Sequence, residues 1–280
     1  MRRDTNMRKK KKIFLKELNK KSLKLLSLLV SIILICIVIY YIFIQDAFLK
    51  INLEKDNIGF SELNENLPFA LEKILLFSSA TAESDSLNQL LSLNISQYCD
   101  IAIYLNKLEN IDTTISSLYI DNISISSPEI GTPYLYKKNI NDMGKSSFEE
   151  NNIIGDRFDF NIINSDATIN YSNYEIYNNC TTPISLGFYN KHIKSDFILD
   201  LDSTEVSYNG LLLKEALIPL TSLYCNVSFT INIITNSNEH YICNVNFDIP
   251  FEDQNGSIYE TGHVIKEFEN SSLNKFIRIK

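Results

Sequence analysis

The sequence predicts a mainly β protein with one N-terminal transmembrane helix, a juxtamembrane helix and then an antiparallel β-sandwich. Three observations predict this class. Residues 25–44 form an uncharged, strongly apolar run. From residue 97 onward, apolar and polar residues alternate with the period of a β-strand. The chain contains 40 Ile but only 7 Ala, and β-branched residues favour strands.

The charge distribution predicts how the apolar run is oriented. Residues 1–24 contain eleven of the 26 basic residues and two of the 34 acidic ones, a net charge of +9, whereas the chain after residue 44 carries −17. Twenty helical residues span ~30 Å, the thickness of a bilayer core, and basic flanks stay in the cytoplasm. We therefore expect a basic cytoplasmic segment at 1–24, a transmembrane helix at 25–45 that contacts the lipid bilayer, and an extracytoplasmic remainder.

Two processed alternatives to this anchor are disfavoured. The apolar run exceeds the 7–15 residues of a usual signal-peptide core, which argues against cleavage. A lipoprotein would use Cys36, but the large Ile35 precedes it and the position lies in the middle of the span. The sequence therefore predicts an uncleaved, single-pass signal anchor in the plasma membrane.

Residues 46–97 are predicted to form a juxtamembrane helix and a linker. Pro68 lies where a helix would begin, because proline is tolerated in the first helical turn. Leu71 and Ile74 then fall on one helical face. We expect an amphipathic helix near residues 67–78.

Residues 98–280 are predicted to form the extracytoplasmic β-sandwich domain. Strands are expected near 97–105, 118–125, 158–162, 169–171, 174–176, 184–188, 197–201, 224–233 and 241–249, with weaker ones near 264 and 276–279. A change of parity at Asp121-Asn122 indicates a β-bulge, and Asn209-Gly210 indicates a hairpin within 206–213. The longest irregular stretch is 137–156. Because apolar and polar residues alternate along each strand, one face of each sheet is expected to be buried and the other exposed. This pattern favours antiparallel sheets over a parallel sheet buried on both faces.

Four cysteines lie outside the anchor, where a disulfide is permitted: Cys99, Cys180, Cys225 and Cys243. If a hairpin turns around 235–239, Cys243 lies opposite residues 231–233, and Cys225 is too far along its strand to bond with it. We expect Cys225 and Cys243 to be small core hydrophobes. The sequence leaves open whether Cys180 forms a disulfide with another cysteine. It also does not determine how the four cysteines pair or the oligomeric state.

No catalytic, metal-binding or cofactor-binding residue is predicted. Gly144-Lys145-Ser146 resembles the end of a phosphate-binding loop, but the required earlier glycine is Asn139. The three histidines, His192, His240 and His263, are scattered without metal-ligand spacing, and His240 is expected to lie in a solvated turn.

Two further groups of residues have side chains that could carry chemistry. Cys180 with His192 has the residue types of a thiol nucleophile and its base, but their spacing does not favour the pair. The densest acidic group is Asp196, Asp200, Asp202 and Glu205, which is expected to form a solvated strand face. The acidic balance of the outer part also argues against nucleic-acid binding.

Four stretches in this order after one anchor resemble uncharacterised, singly anchored surface proteins of low-G+C Gram-positive bacteria. They are 76–82 (LFSSATA), 97–106 (QYCDIAIYLN), 118–133 (LYIDNISISSPEIGTP) and 183–190 (PISLGFYN). The resemblance covers roughly residues 20–250. It implies a bacterial plasma membrane, and it carries no functional residue over because the group has no assigned activity.

Together these observations favour a membrane-tethered binding or structural module of the bacterial cell envelope that is not catalytic. Its expected contacts are the bilayer through residues 25–45 and a protein or cell-wall partner. Two alternatives stay open. One is a cell-envelope enzyme without a recognisable motif, and the other is an accessory subunit of a membrane complex.

Overall fold

The computed structural model describes residues 67–85, 92–108, 113–163, 175–198, 207–269 and 274–279. These residues form a mainly β structure whose sheets are rich in antiparallel pairs. The predicted basic segment 1–24 and transmembrane span 25–45 lie outside the described residues. Within the described ranges, no helix is long and apolar enough to cross a bilayer.

Thirteen strands are assigned among the described residues. They are β1 (Phe69–Asp85), β2 (Ser92–Lys107), β3 (Ile115–Ile125), β4 (Thr132–Lys137), β5 (Phe158–Ile163), β6 (Glu175–Tyr177), β7 (Ile184–Ile198), β8 (Asn226–Thr235), β9 (His240–Asp248), β10 (Glu252–Asp253), β11 (Gly256–Ser257), β12 (His263–Glu269) and β13 (Ile277–Arg278). Short α-helices are α1 (Leu211–Glu215) and α2 (Ile258–Thr261), and 3₁₀ helices lie at Ile140–Asp142, Glu150–Asn152 and Leu220–Leu223.

Two large sheets share one apolar core. The first sheet has the order β12-β1-β2-β7-β4 and the second has the order β13-β9-β8-β3-β5-β6. Inward side chains of both sheets meet in a single buried cluster, which includes Leu76, Ile101 and Leu186 from the first and Ile120 and Ile231 from the second. This arrangement is consistent with a β-sandwich. One pair departs from the antiparallel pattern, because β5 and β6 run parallel.

A second apolar cluster covers one end of the first sheet. Leu93 and Ile95 of β2 pack there with Leu212 and Leu213 of α1 and with Ile258 of α2. β2 therefore contributes to both clusters. Its residues are almost continuously buried from Leu93 to Leu105, as expected for the middle strand of a sheet that is covered on both faces.

The predicted helix at 67–78 is wrong, because this segment belongs to β1. A β-bulge between Leu71 and Lys73 explains the misleading pattern. Leu71 and Ile74 are both buried although they are three positions apart, which imitates helical spacing. β1 pairs with β2 along nearly its whole length, so the sheet begins well before residue 98.

The predicted hairpin at Asn209-Gly210 is also wrong. The side chain of Asn209 accepts a hydrogen bond from the Leu211 amide, so these residues begin α1 instead. The Gly210 amide donates to the Gly262 carbonyl at 2.7 Å, and a Cβ on Gly210 would lie 2.6 Å from that oxygen. A close tertiary contact therefore fixes the conformation that the local pattern assigns to a turn.

Other strand predictions are confirmed. β8 and β9 form the expected hairpin, with Cys243 opposite Ile231. The bulge at Asp121-Asn122 is present, and Asn122 has a positive φ of 51°. Weaker candidates near 264 and 276–279 correspond to β12 and β13. The strand expected at 169–171 lies outside the described residues, and the separate strands expected at 184–188 and 197–201 are partly merged in β7.

Candidate functional site

The face of the first sheet opposite the shared core carries an aromatic cluster. It consists of Tyr98, Tyr136 and Tyr189, with Phe77 and Phe148 packed against them. Asp100 lies among these rings in β2, opposite Phe77 on one side and Gly187 on the other. Gly187 in turn lies opposite Tyr136, and a Cβ at Gly187 would come within 2.2 Å of the Tyr136 ring. Absence of a side chain at Gly187 lets that ring lie close to the sheet.

Residues 138–148 cross this face directly after β4. Gly144 has a φ of +82°, which suits glycine, and its amide donates to Asp100 Oδ2 at 2.5 Å. The Tyr98 hydroxyl donates to the Gly144 carbonyl at 3.2 Å. Phe148 stacks on Tyr189 with ring centroids 4.3 Å apart and planes within 3° of parallel. The segment is thus held at both its middle and its end.

Lys138 and Asp100 form an ion pair beneath this segment. Both side chains are fully buried, and Lys138 Nζ contacts Asp100 Oδ1. Lys138 Nζ also donates to the Lys145 carbonyl at 2.5 Å and lies 3.5 Å from the Tyr136 hydroxyl. Its nitrogen stands 5.6 Å from the Tyr98 ring centroid and 6.0 Å from that of Tyr136, within the range of cation–π attraction.

Burial shifts both members of the pair towards their neutral forms. Burial raises the pKa of Asp100, and the opposing effects of Lys138 and the Gly144 amide do not cancel this shift. Burial likewise lowers the pKa of Lys138 despite the attraction of Asp100. Buried charges are costly even when they are paired, so this direction follows from the sealed surroundings. Burial also raises the pKa of Tyr98 and Tyr136.

A small pocket adjoins Lys138 on the side of the second sheet. It is lined in part by Ser185 of β7, Phe160 of β5, Ile176 of β6 and Thr182. Its free volume suits about one water molecule. The Ser185 hydroxyl is buried with no hydrogen-bond partner among the described residues, so the pocket combines limited space with a polar group.

The histidines occupy three separate environments. His192 is exposed on β7, and His263 stacks on Phe77 with ring centroids 5.3 Å apart. His240 is half-buried at the start of β9 and its Nε2 lies 2.9 Å from Asn232 Oδ1, so the expectation of a solvated turn is wrong for this residue. In the described ranges, no group of three or more His, Cys, Asp or Glu residues is placed to hold a metal ion.

Cys99, Cys180, Cys225 and Cys243 are all buried with free thiols. The prediction that Cys225 and Cys243 are core hydrophobes is confirmed, since both lie in the shared core. Burial raises the pKa of Cys180 to about 11. A thiol nucleophile needs a lowered pKa, so the environment of Cys180 does not suit the proposed pairing with His192. Asp196 is exposed as expected, whereas Asp200, Asp202 and Glu205 lie outside the described residues.

The Asp100–Lys138 pair was missed by the sequence analysis. Asp100 lies on the face of β2 opposite the shared core, and its neighbours on that face, Tyr98 and Ala102, are buried hydrophobic residues. A charged residue flanked by apolar residues on both faces of a strand was the available signal. Gly144-Lys145-Ser146, rejected as a phosphate-binding loop, supplies the backbone groups that contact the pair.

Comparison of the chain with protein-family models, curated proteins and solved structures finds no match in any of the three. The described part of the chain is therefore classified by its architecture and by its buried ionisable pair. It is a β protein with two sheets on a shared core, and a buried acid–amine pair fixes an irregular segment to the opposite face of one sheet.

Proposed function

We propose that this protein is a membrane-tethered, extracytoplasmic contact module of the bacterial cell envelope, and that residues 138–156 provide its contact surface. The single observation that carries the proposal is the construction of this stretch. It is irregular in sequence and nearly free of strand structure, yet its foundation is a buried ion pair and an aromatic stack. Long irregular stretches inside a compact domain are uncommon and often functional.

The outer side of the stretch is polar and exposed. Asn141, Lys145, Ser146 and Glu149 are all exposed. Lys145 contributes to the foundation only through its backbone carbonyl, so its side chain is available for contact. Holding these side chains on a fixed backbone reduces the conformational entropy lost on binding, which favours recognition.

The tether rests on the charge asymmetry of the sequence. The change from +9 before the apolar run to −17 after it supports a cytoplasmic N-terminus and an outer C-terminal domain. Protease added to intact spheroplasts is expected to digest the domain while spheroplast cytoplasmic proteins survive. Full protection of the domain would contradict this orientation.

A double variant separates the surface from its foundation. Lys145→Ala and Glu149→Ala together remove two exposed side chains and leave the Lys145 carbonyl, the buried pair and Phe148 in place, and Ser146 is kept because its side chain is hydrogen-bonded to Tyr189 of the aromatic cluster. We expect this variant to fold normally but to lose at least tenfold in co-sedimentation with purified cell-wall sacculi, or to lose discrete in-cell photo-cross-links formed from a photoreactive residue at position 141.

A matched control uses residues elsewhere on the surface. Lys214→Ala and Glu215→Ala remove the same residue types from exposed positions in α1. This control is expected to retain both signals. If the two double variants behave alike, residues 138–156 are not the contact surface and the proposal fails.

A further inference from the structure

The Asp100–Lys138 pair brings a carboxyl group and a primary amine together in a sealed site. Asp100 belongs to β2 and Lys138 follows β4, with β7 between these strands in the sheet. Both side chains have no exposed surface. Aromatic rings surround them, and Gly144 and Lys145 cover them from above. Bulk water is therefore excluded from the contact between the two reactive groups.

The hydrogen bonds around the pair fit an amide better than they fit two ions. A carboxylate offers two acceptor oxygens and an ammonium offers three donors. Asp100 Oδ2 accepts from the Gly144 amide, but Oδ1 has no hydrogen-bonding group other than the Lys138 amine it contacts, among the described residues. A secondary amide needs one donor and one acceptor for its own carbonyl and N–H. The Gly144 amide and the Lys145 carbonyl supply these two.

We propose that Lys138 and Asp100 are joined by an intramolecular amide bond that forms inside the folded domain. The lone pair of Lys138 Nζ attacks Asp100 Cγ and forms the C–N bond. The C–Oδ1 bond then breaks, and the hydroxyl leaves with one amine proton as water. No oxidant, reductant or other reactant is required. Because the bond forms once per molecule, it does not make the chain an enzyme, and the proposal does not depend on the proposed function.

The surroundings promote each part of this step. The pKa shifts of the two groups favour an uncharged amine, which is the nucleophile, and an uncharged acid, which is the better electrophile. The Gly144 amide points at Oδ2, where negative charge develops as the amine attacks. Fixed contact between the groups replaces a bimolecular encounter.

Peptide mapping of the full-length protein tests the bond directly. Trypsin cleaves after free lysines, so an unlinked chain gives separate peptides 74–107 and 139–145. An acylated Lys138 blocks cleavage at that residue. The expected product is a branched peptide in which 74–107 and 138–145 are joined and whose mass is lower than their sum by one water. Tandem mass spectrometry locates the branch at Asp100 and Lys138.

Two variants complete the test. Lys138→Arg and Asp100→Ala are each expected to abolish the branched peptide. An unbranched 74–107 peptide together with free 139–145 from folded, full-length wild-type protein would overturn the proposal, and this result does not depend on whether any variant folds.

Discussion

Removing one member of the Asp100–Lys138 pair is expected to destabilise the domain more than removing both. Lys138→Met leaves the Asp100 carboxyl fully buried, and Oδ1 then has no partner. Asp100→Leu leaves a buried amine whose main remaining partner is the Lys145 carbonyl. Loss of one partner from a buried pair typically costs about 3–5 kcal/mol, whereas apolar replacement of both is often close to neutral. The double variant should therefore be more stable than either single variant by about 2–4 kcal/mol.

The direction of the pKa shift adds a pH dependence to this comparison. Without Lys138, the effect that opposes burial is gone, so the folded-state pKa of Asp100 stays above its unfolded value. A group with a raised folded pKa contributes stability below its unfolded pKa and loses it as pH rises through the folded pKa. The deficit of Lys138→Met relative to the double variant should therefore be smaller at about pH 4.5 than at pH 7.

Urea unfolding of the full-length protein in mild detergent provides the assay. The chain contains no Trp but 15 Tyr, so tyrosine fluorescence and far-UV circular dichroism are the suitable signals. None of the three variants can form the Lys138–Asp100 amide, so their ranking is independent of that bond. If the double variant is no more stable than both single variants at pH 7, the two groups do not act as an isolated buried pair and the reasoning is refuted.

Three further predictions concern packing and buried thiols. Gly187→Ala should lower the free energy of unfolding by about 1–3 kcal/mol, because the added Cβ would collide with the Tyr136 ring. In the control variant Gly155→Ala the added Cβ meets nothing within 4 Å, so the free energy of unfolding should change by less than about 0.5 kcal/mol. Equal urea midpoints for the two variants would contradict this prediction. Burial raises the pKa of Cys180 and Cys225 to about 11 and that of Cys243 to about 12, so iodoacetamide should label them at pH 8 only after unfolding, and rapid labelling of the native protein would refute their inertness. A raised folded-state thiol pKa stabilises the fold at pH values below the unfolded thiol pKa, and this stabilisation is lost as pH rises. The urea midpoint should therefore decrease as pH is raised from about 9 to about 11. A urea midpoint that does not change over this range would contradict the raised pKa values.

The hairpin of β8 and β9 shows what the sequence predicts well. Its two strands alternate regularly, they are adjacent in the chain, and the turn between them is short. Periodicity then determines both the buried face and the register, which places Cys243 opposite Ile231. Local patterns suffice here because each strand pairs with its neighbour in sequence.

β1 shows why the same reasoning failed elsewhere. A single bulge between Leu71 and Lys73 changed the parity of the buried positions and gave a short stretch the spacing of a helix. Asn209-Gly210 failed for a different reason. Its conformation depends on the Gly262 carbonyl, which lies about fifty residues away in sequence and leaves no local signal.

The candidate site was the least predictable feature because its central contact, Asp100 with Lys138, joins residues that are far apart in the sequence. Asp100 becomes buried only when β7 and β4 bring Tyr136 and Lys138 next to it. The sequence predicts an irregular stretch at 137–156, and residues 138–148 of this stretch cross the aromatic face. Irregularity was visible in the sequence, whereas the buried foundation that fixes it was not.

The position of that foundation constrains what the irregular stretch can do. β4 is an edge strand, so a segment that leaves it would ordinarily be held by few contacts and would lose considerable entropy when ordered by a partner. Lys138 instead connects the start of the segment to β2, the central strand, and Phe148 holds its end on β7. The conformational entropy of this segment is thus lost during folding, before any partner binds. A buried charged pair is a poor way to gain stability alone, because apolar residues of similar size serve as well. Its value here is that it specifies one backbone conformation for an exposed polar segment, which is a requirement of recognition and not of the core beneath it.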